Sequence, residues 1–257
     1  MKDVNLEVFV VAYDQIQNKV VEQLTEEELK FVTAYTVQKK VKKLISPLVN
    51  KTIKEWELPW NNYDFQSKQY YEYGTFLHLY NNYELIKDLT HVGVVHYDVI
   101  FNKNSVNEII ESLKLEPETI FYEMRRGNNA LFLSDYELDR ICEFMSNGLG
   151  MNIDSKYIKN NEWISECLSV TPKHVFLKFA KFLNDFYLEI ENILLQNRWG
   201  IMNTCNHRMC GIVERMWGFY LISCGLPLKQ MNIRHDWNSY QHKHLEYIGT
   251  GLNRMQI

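Results

Sequence analysis

Thr90-His-Val-Gly-Val-Val-His-Tyr-Asp98 holds a short apolar run, Val92 to Val95, that delivers a histidine, a tyrosine and an aspartate at its far end. β-Branched residues dominate a run too short for a helix, and Gly93 allows close backbone approach, so the stretch reads as a buried strand. Ligands of open α/β sheets bind beyond the carboxyl ends of such strands. His96 and Asp98 stand two residues apart and share one face if the strand continues through them. A pair of this kind has the chemistry to hold a divalent cation or to polarise a phosphate. Taken alone, the triplet also reads as a strand end with a polar cap.

Upstream, Leu6-Glu-Val-Phe-Val-Val-Ala-Tyr13 is a β-rich hydrophobic run that opens into the polar Asp14-Gln-Ile-Gln. It has the pattern of the first strand of a parallel sheet, buried on both faces, and such a strand opens onto the ligand crevice at Ala12 and Tyr13. Thr25-Glu-Glu-Glu28 is a capping box. The following Leu29, Val32, Ala34, Tyr35 and Val37, ahead of the lysines at 39, 40, 42 and 43, predict a helix. Pro47, Pro59 and Asn61-Asn62 mark an irregular connection anchored by Trp56 and Trp60. From Ser67 to Tyr80 a helical stripe returns, with Tyr70, Tyr73, Phe76 or Leu77, and Tyr80 at intervals of three or four. Gly74 inside it is unfavourable by about 1 kcal/mol against alanine, which points to close packing against the sheet or a ligand. Tyr70, Tyr71 and Gly74 are therefore candidates to line a pocket. A second short helix, Tyr83 to Leu89, leads into the central strand.

Downstream, Val106 to Leu113 is amphipathic, and Thr119-Ile-Phe-Tyr122 predicts a strand. Ser134-Asp-Tyr-Glu137 is a second capping box, opening a helix that Gly148 and Gly150 stop. The asparagine-rich stretch from Asn147 to Asn161 reads as a mobile loop. Thr171-Pro172 then starts a core helix, with threonine as N-cap and proline in the first turn. His207-Arg-Met-Cys-Gly-Ile-Val-Glu-Arg-Met-Trp217 reads as a loop-to-helix junction at Gly211, with Glu214 in the first turn, where the helix dipole favours a carboxylate. The tail carries His235, His242 and His244, and reads as a solvated end or as a segment folding back with a metal or phosphate contact.

The chain has 257 residues, enough for one domain with a sizeable core, and its 46% hydrophobic and 23% charged content is that of an ordinary globular protein. A net charge of −4 with no concentrated basic face leaves nucleic-acid binding without an electrostatic footprint. Sixteen tyrosines suit sites that hold sugars or bases, or simply a core. The five cysteines lack framework spacing, the N-terminus lacks the order of a signal peptide, and no apolar run has the length to span a bilayer. Reduced thiols in a cytoplasmic setting are expected. Cys205-Asn-His207-Arg-Met-Cys210 has no second ligand pair at zinc spacing.

Three segments, in the same order and at similar spacing, resemble a family of bacterial polysaccharide-assembly glycosyltransferases, long catalogued as a capsular-polysaccharide-related domain of unknown function. Tyr70-Tyr-Glu-Tyr-Gly-Thr-Phe-Leu-His-Leu-Tyr-Asn-Asn82 stands where that family has an aromatic helix. His91-Val-Gly-Val-Val-His-Tyr97 is similar to its Tyr-Val-Gly-Leu-X-His-Tyr, and Arg208-Met-Cys-Gly-Ile-Val-Glu-Arg215 to its Arg-X-X-Gly-Phe-X-X-Glu-Arg. The helix from Thr171 to Leu195 is similar to the long aromatic helix before that last motif. One departure stands out. The family continues His-Tyr-Arg-Arg, whereas this chain has His96-Tyr97-Asp98-Val99, which resembles the Asp-X-Asp metal motif of GT-A glycosyltransferases.

The resemblance implies a single GT-A-like α/β domain, its mostly parallel central sheet flanked by helices and residues 222–257 folding back over the site. It implies transfer of a sugar from a nucleotide-sugar donor to a saccharide acceptor. Ala12, Tyr13, Tyr70, Tyr71, Gly74, His96, Asp98 and Arg208 are then expected at the donor, and Glu214 as the catalytic base. Asp98, with His235 as a more distant ligand, is expected to hold Mn2+ or Mg2+ against the leaving diphosphate. Two other classes stay open: an inactive sugar-nucleotide- or glycan-binding protein on the same fold, and an unrelated metal-dependent hydrolase using His96 and Asp98.

Overall fold

Leu6-Glu-Val-Phe-Val-Val-Ala12 forms strand β1, and all but one of its side chains are buried, as expected of a strand covered on both faces. The computed structural model describes residues 3–12, 16–37, 45–62, 72–127, 133–197 and 209–236. After β1 (Leu6–Ala12) come α1 (Asn18–Val21), α2 (Glu26–Leu29), β2 (Val32–Thr36), β3 (Lys51–Lys54), α3 (Glu72–Asn81), β4 (His91–His96) and β5 (Val99–Phe101). The chain continues through α4 (Ser105–Leu115), β6 (Ile120–Arg126), α5 (Asp135–Leu149), α6 (Ser155–Asn160), β7 (Trp163–Pro172), α7 (Lys173–Asn197), α8 (Met209–Ser223), β8 (Leu228–Gln230) and β9 (Ile233–His235).

Seven strands form one sheet in the order β3-β2-β1-β4-β7-β6-β8, and β5 pairs with β9 in a separate ribbon. β1 runs parallel to both β2 and β4, β3 parallel to β2, and β8 parallel to β6; only β7 is antiparallel to its neighbours. The sheet is thus mostly parallel, as expected. The chain leaves β1 toward β2 and β3, then returns to its other side with β4. In open α/β sheets ligands bind at such a reversal, which here lies beyond the carboxyl ends of β1 and β4.

Gly93 shows why the central strand needs a glycine. A Cβ there would lie 3.0 Å from Val8 Cγ2 on β1 and 3.1 Å from Val170 Cγ2 on β7. Helix α3 is buried along nearly its whole surface, and Phe76 packs against Phe176, Phe179 and Trp217 at centroid distances of 4.9, 6.3 and 5.0 Å. Much of the aromatic content therefore fills the core between α3, α7 and α8.

Both capping boxes form, at Thr25 and Ser134. Glu28 does more than its local pattern requires. One carboxylate oxygen closes the box with Thr25, while the other accepts from the backbone N–H groups of Val106 and Asn107 at 3.1 and 3.2 Å. Helix α4 has a left-handed N-cap, Asn104 at φ 63°, with no side-chain cap of its own, so this distant carboxylate satisfies its first turn.

Several local expectations change. The expected helix after the first capping box ends at Leu29, and Val32-Thr-Ala-Tyr-Thr36 is strand β2, fully buried beside β1. Its β-branched and aromatic residues suit a pleated, buried surface. Strand β3 lies in what reads as irregular connection, and Tyr83–Leu85 is a single 3-10 turn. Helix α5 runs through Gly148 and stops at Gly150, at φ 62°. The expected loop from Asn147 to Asn161 contains helix α6, started by the Asp154 side chain. Thr171-Pro172 ends a ten-residue strand, with α7 beginning at Lys173. Helix α8 already runs at Met209, which puts Gly211 inside the helix and Glu214 in its second turn. Of the tail, Leu228–Gln230 extends the main sheet and Ile233–His235 pairs with β5, while residues 237–257 lie outside the described ones.

Candidate functional site

Strand β4 ends at His96 and the chain turns at Tyr97 and Asp98, so the strand does not continue through both residues to put them on one of its faces. The turn nevertheless brings them together, His96 Nδ1 standing 3.7 Å from Asp98 Oδ1. β9 then carries His235 to the other carboxylate oxygen, with Nε2 3.3 Å from Asp98 Oδ2. On its far side the same ring meets Glu123, with Nδ1 3.4 Å from Oε1. The backbone fixes this arrangement, because Val99 pairs with His235 and the Asp236 N–H donates to the Asp98 carbonyl at 2.6 Å. Asp236 in turn forms an ion pair with Lys19 of α1.

The electrostatics follow from burial against charge. Burial alone would lower the pKa of His235, but Asp98 and Glu123 together outweigh it and hold the imidazolium up at about 9. Burial alone would raise Asp98; the pull of His235 and then of His96 wins, leaving its carboxyl below the ordinary value. One imidazolium between two carboxylates thus supplies the counter-charge from inside the protein.

That arrangement does not fit the expected metal. Of the two expected ligands, His235 turns Nε2 to Asp98 Oδ2 at 3.3 Å and Nδ1 to Glu123 Oε1 at 3.4 Å, so the ring stands between two carboxylates. Mn2+ and Mg2+ also want about six oxygen-rich ligands, and no group of three or more His, Cys, Asp or Glu among the described residues is arranged to hold an ion.

Glu123 went unrecognised in the sequence, where the predicted strand stops at Tyr122. β6 pairs Tyr122 with Ser169 and then Met124 with Ser165, so Glu123 falls at a register shift, a feature that re-aims side chains. Its signal was a lone acid inside an apolar β-rich run.

The other candidates are distributed as follows. Ala12 is fully buried at the end of β1, where its carbonyl accepts from the Val37 N–H at 3.2 Å. Tyr13, Tyr70, Tyr71 and Arg208 lie outside the described residues. Gly74 is buried in α3, and its carbonyl accepts from His78 Nδ1 at 2.7 Å. Among the described residues, the ion pair of Glu214 is with Arg215 and not with the histidines of the Asp98 cluster. Glu214 sits one turn before Gly218, which touches Ile164 of β7, and beside Arg215, whose guanidinium lies 5.3 Å above the Trp163 ring. Since Trp163 begins β7, antiparallel to β4, Glu214 stands at the same edge of the sheet as His96, with 20% of its side chain exposed.

His78 makes a pH prediction. The Asn62 N–H donates to its Nε2 at 3.0 Å, so that nitrogen carries no proton, and the Glu55 oxygen 3.7 Å away is not an ion-pair partner. Burial drives the ring's pKa down to about 4, against the opposing pull of the Gly74 carbonyl. Between that value and the unfolded 6.5 the unfolded chain binds more protons on this ring. Stability contributed here is complete above about pH 6.5 and falls as pH drops toward 4, by up to about 3 kcal/mol. Urea unfolding at pH 7 and 4.5 should show that loss in the native protein and much less of it in His78→Gln. Equal acid sensitivity in both proteins would refute the assignment.

Comparison with solved structures places the fold. The apo structure of the bifunctional glycosyltransferase WbbM matches 90% of this chain with a TM-score of 0.56 at 13% identity. The chain spans 45% of the length of that protein. Core-mannan synthase A (CmsA/Ktr4) from Aspergillus fumigatus, in an Mn/GDP form, matches more loosely, with a TM-score of 0.37 and 11% identity over 89% of this chain and 74% of its own. No family model and no curated protein matches the sequence. The chain therefore has an α/β fold found in a glycosyltransferase. No helix among the described residues is long and apolar enough to cross a membrane.

Proposed function

We propose that this chain is a glycosyltransferase that moves a sugar from a nucleotide-sugar donor to a saccharide acceptor, in the assembly of a bacterial polysaccharide. One observation carries the reading. A fold shared with WbbM over 90% of the chain has, at its strand-order reversal, a buried carboxylate cluster built on the His96-Tyr97-Asp98 stretch. The motif resemblance at Tyr70–Asn82, His91–Tyr97 and Arg208–Arg215 points to the same capsular-polysaccharide-type family.

In this reading the donor lies across the carboxyl ends of β1 and β4, against Ala12, Tyr13, His96 and Asp98, with Tyr70, Tyr71 and Gly74 on one flank. Glycosyl transfer develops negative charge on the leaving diphosphate and positive charge at the anomeric carbon. Arg208, at the start of the last motif, is the candidate to meet the first. Glu214 takes the proton of the acceptor hydroxyl as that oxygen attacks the anomeric carbon and the diphosphate leaves. No step is routed through a metal, because the Asp98 cluster does not fit one.

Calorimetric titration with a panel of uridine and guanosine diphosphate sugars, paired with a turnover assay on saccharide acceptors, tests the proposal. Binding with turnover is expected. Binding without turnover would indicate a sugar-nucleotide-binding protein, and neither would remove the glycosyltransferase reading.

A further inference from the structure

Between α4 and β8 the surface opens into a groove of about 460 Å³, inside the roughly 300–1,000 Å³ of ordinary ligand sites. Ile109, Phe121 and Met231, all buried, form its apolar floor. The rim is polar. Glu108, Gln230 and Asn232 are exposed there, and Lys229 donates to Ser112 Oγ at 3.3 Å. Asn232 is held by its neighbours, donating to Glu108 at 3.3 Å and accepting from Asn102 Nδ2 at 2.9 Å, and Gln230 is anchored by donating to the Glu123 carbonyl at 2.9 Å. The charges balance. Two carboxylates, Glu108 and Glu111, stand against two ammoniums, Lys114 and Lys229, and Glu111 is paired with Lys114 at 2.6 Å. The groove also leads toward the candidate site. β8 runs parallel to β6, and β6 and β4 both run antiparallel to β7, so Gln230 lies toward the end of the sheet where β4 delivers His96. Its two walls continue into one ribbon: β5 precedes α4, β9 follows β8, and β9 carries His235 to Asp98.

We infer that this groove holds an oligosaccharide, the acceptor chain of the proposed transfer, with its growing end directed toward the carboxyl ends of β1 and β4. Calling it the acceptor rests on the glycosyltransferase reading; binding of a saccharide in the groove does not. A neutral sugar chain presents C–H faces and many hydroxyls, each of which both donates and accepts. An apolar floor under carboxylate, amide and ammonium groups matches both features, and a charge-balanced rim gives a polyanion no net attraction. β8 is also the last strand of the sheet among the described residues, but a length of three residues and an exposed lysine are what blunt an edge against strand addition. An extended peptide is therefore the poorer fit.

The first arm of the test needs no donor. Linear gluco-, galacto- and manno-oligosaccharides of two to six units are titrated into 15N-labelled protein. The side-chain amide signals of Gln230 and Asn232 should move with at least one series, and affinity should rise with chain length. Ser112→Trp fills the groove from the half-buried face of α4 and should lower that affinity by about tenfold or more with the thermal transition retained. Should that variant fail to fold, Glu108→Ala, at an exposed helix position, is read in the same way. In a transfer assay, the ratio of kcat/KM for a six-unit acceptor to that for a two-unit one should fall by a similar factor in the same variants. Amide signals that no probe moves, affinity unchanged in the folded variants, or an unaltered ratio would overturn the inference and return the groove to a blunted sheet edge. A native protein that binds the probes in the groove but no nucleotide sugar would remove the glycosyltransferase reading and keep the saccharide site. One that transfers sugar while the amide signals stay unmoved would do the reverse.

Discussion

Replacing Glu214 by glutamine is expected to lower sugar transfer by roughly 100-fold or more while donor affinity stays nearly unchanged. The substitution keeps the side chain's shape and removes its basicity. A base that deprotonates the acceptor acts in the transition state, so the loss should fall on kcat rather than on binding of the donor. The position suits the role. Helix α8 holds Glu214 at the edge of the sheet where His96 ends β4, partly exposed and thus open to an incoming hydroxyl. Arg215 is tied down beside it, its guanidinium donating to the Gly211 carbonyl at 2.5 Å and lying 3.7 Å from a Glu214 oxygen. Steady-state kinetics on both substrates checks the prediction. Near-normal turnover in Glu214→Gln would return the residue to the role of a helix carboxylate paired with its neighbouring arginine.

The largest expected effect on stability comes from Gly218→Ala. A Cβ at this position would lie 1.9 Å from the carbonyl oxygen of Ile164 and 3.1 Å from a ring carbon of Trp163. The first of these is backbone of a central strand, so no side-chain rotation can relieve it. Helix α8 would have to lift from β7, opening the cluster of Trp217 with Phe76 and Phe179 and the hydrogen bond from Trp217 Nε1 to Ser169 Oγ. Overpacking that cannot be absorbed by rotamers is expected to destabilise by about 3 kcal/mol or more. Urea unfolding of Gly218→Ala reads this directly. A change within about 0.5 kcal/mol, typical of an exposed helix position, would show that the helix does not ride on the strand so closely.

Much of the framework was legible because its signals are local. A run such as Leu6 to Ala12 or Val92 to Val95 is too apolar and too β-branched to be anything but a buried strand, and a capping box spans only four residues. Val32-Thr-Ala-Tyr-Thr36 was different. Its apolar residues, read with Leu29 and Val37, fit a helical spacing as well as a strand, and pairing with β1, which no local pattern records, makes it a strand. Strand β7 was missed for a related reason. Trp163 to Pro172 mixes polar and apolar residues with no alternation to mark it, because Ser165, Ser169 and Thr171 are buried along with the apolar ones and Ser169 accepts from Trp217 of α8.

The sequence by itself determined that this is an α/β chain whose central strand delivers His96 and Asp98 to the carboxyl end of a sheet, because hydrophobic period and strand length are properties of neighbouring residues. Only the tertiary structure decided what surrounds Asp98. Glu123 and His235 are 112 residues apart, and they meet because β6 breaks register at one and β9 docks on β5 at the other. The acid that reads locally as a metal ligand meets a buried histidine there, with a second acid behind it. A contact between distant residues depends on strand order and register, and it leaves no mark on the spacing of either partner.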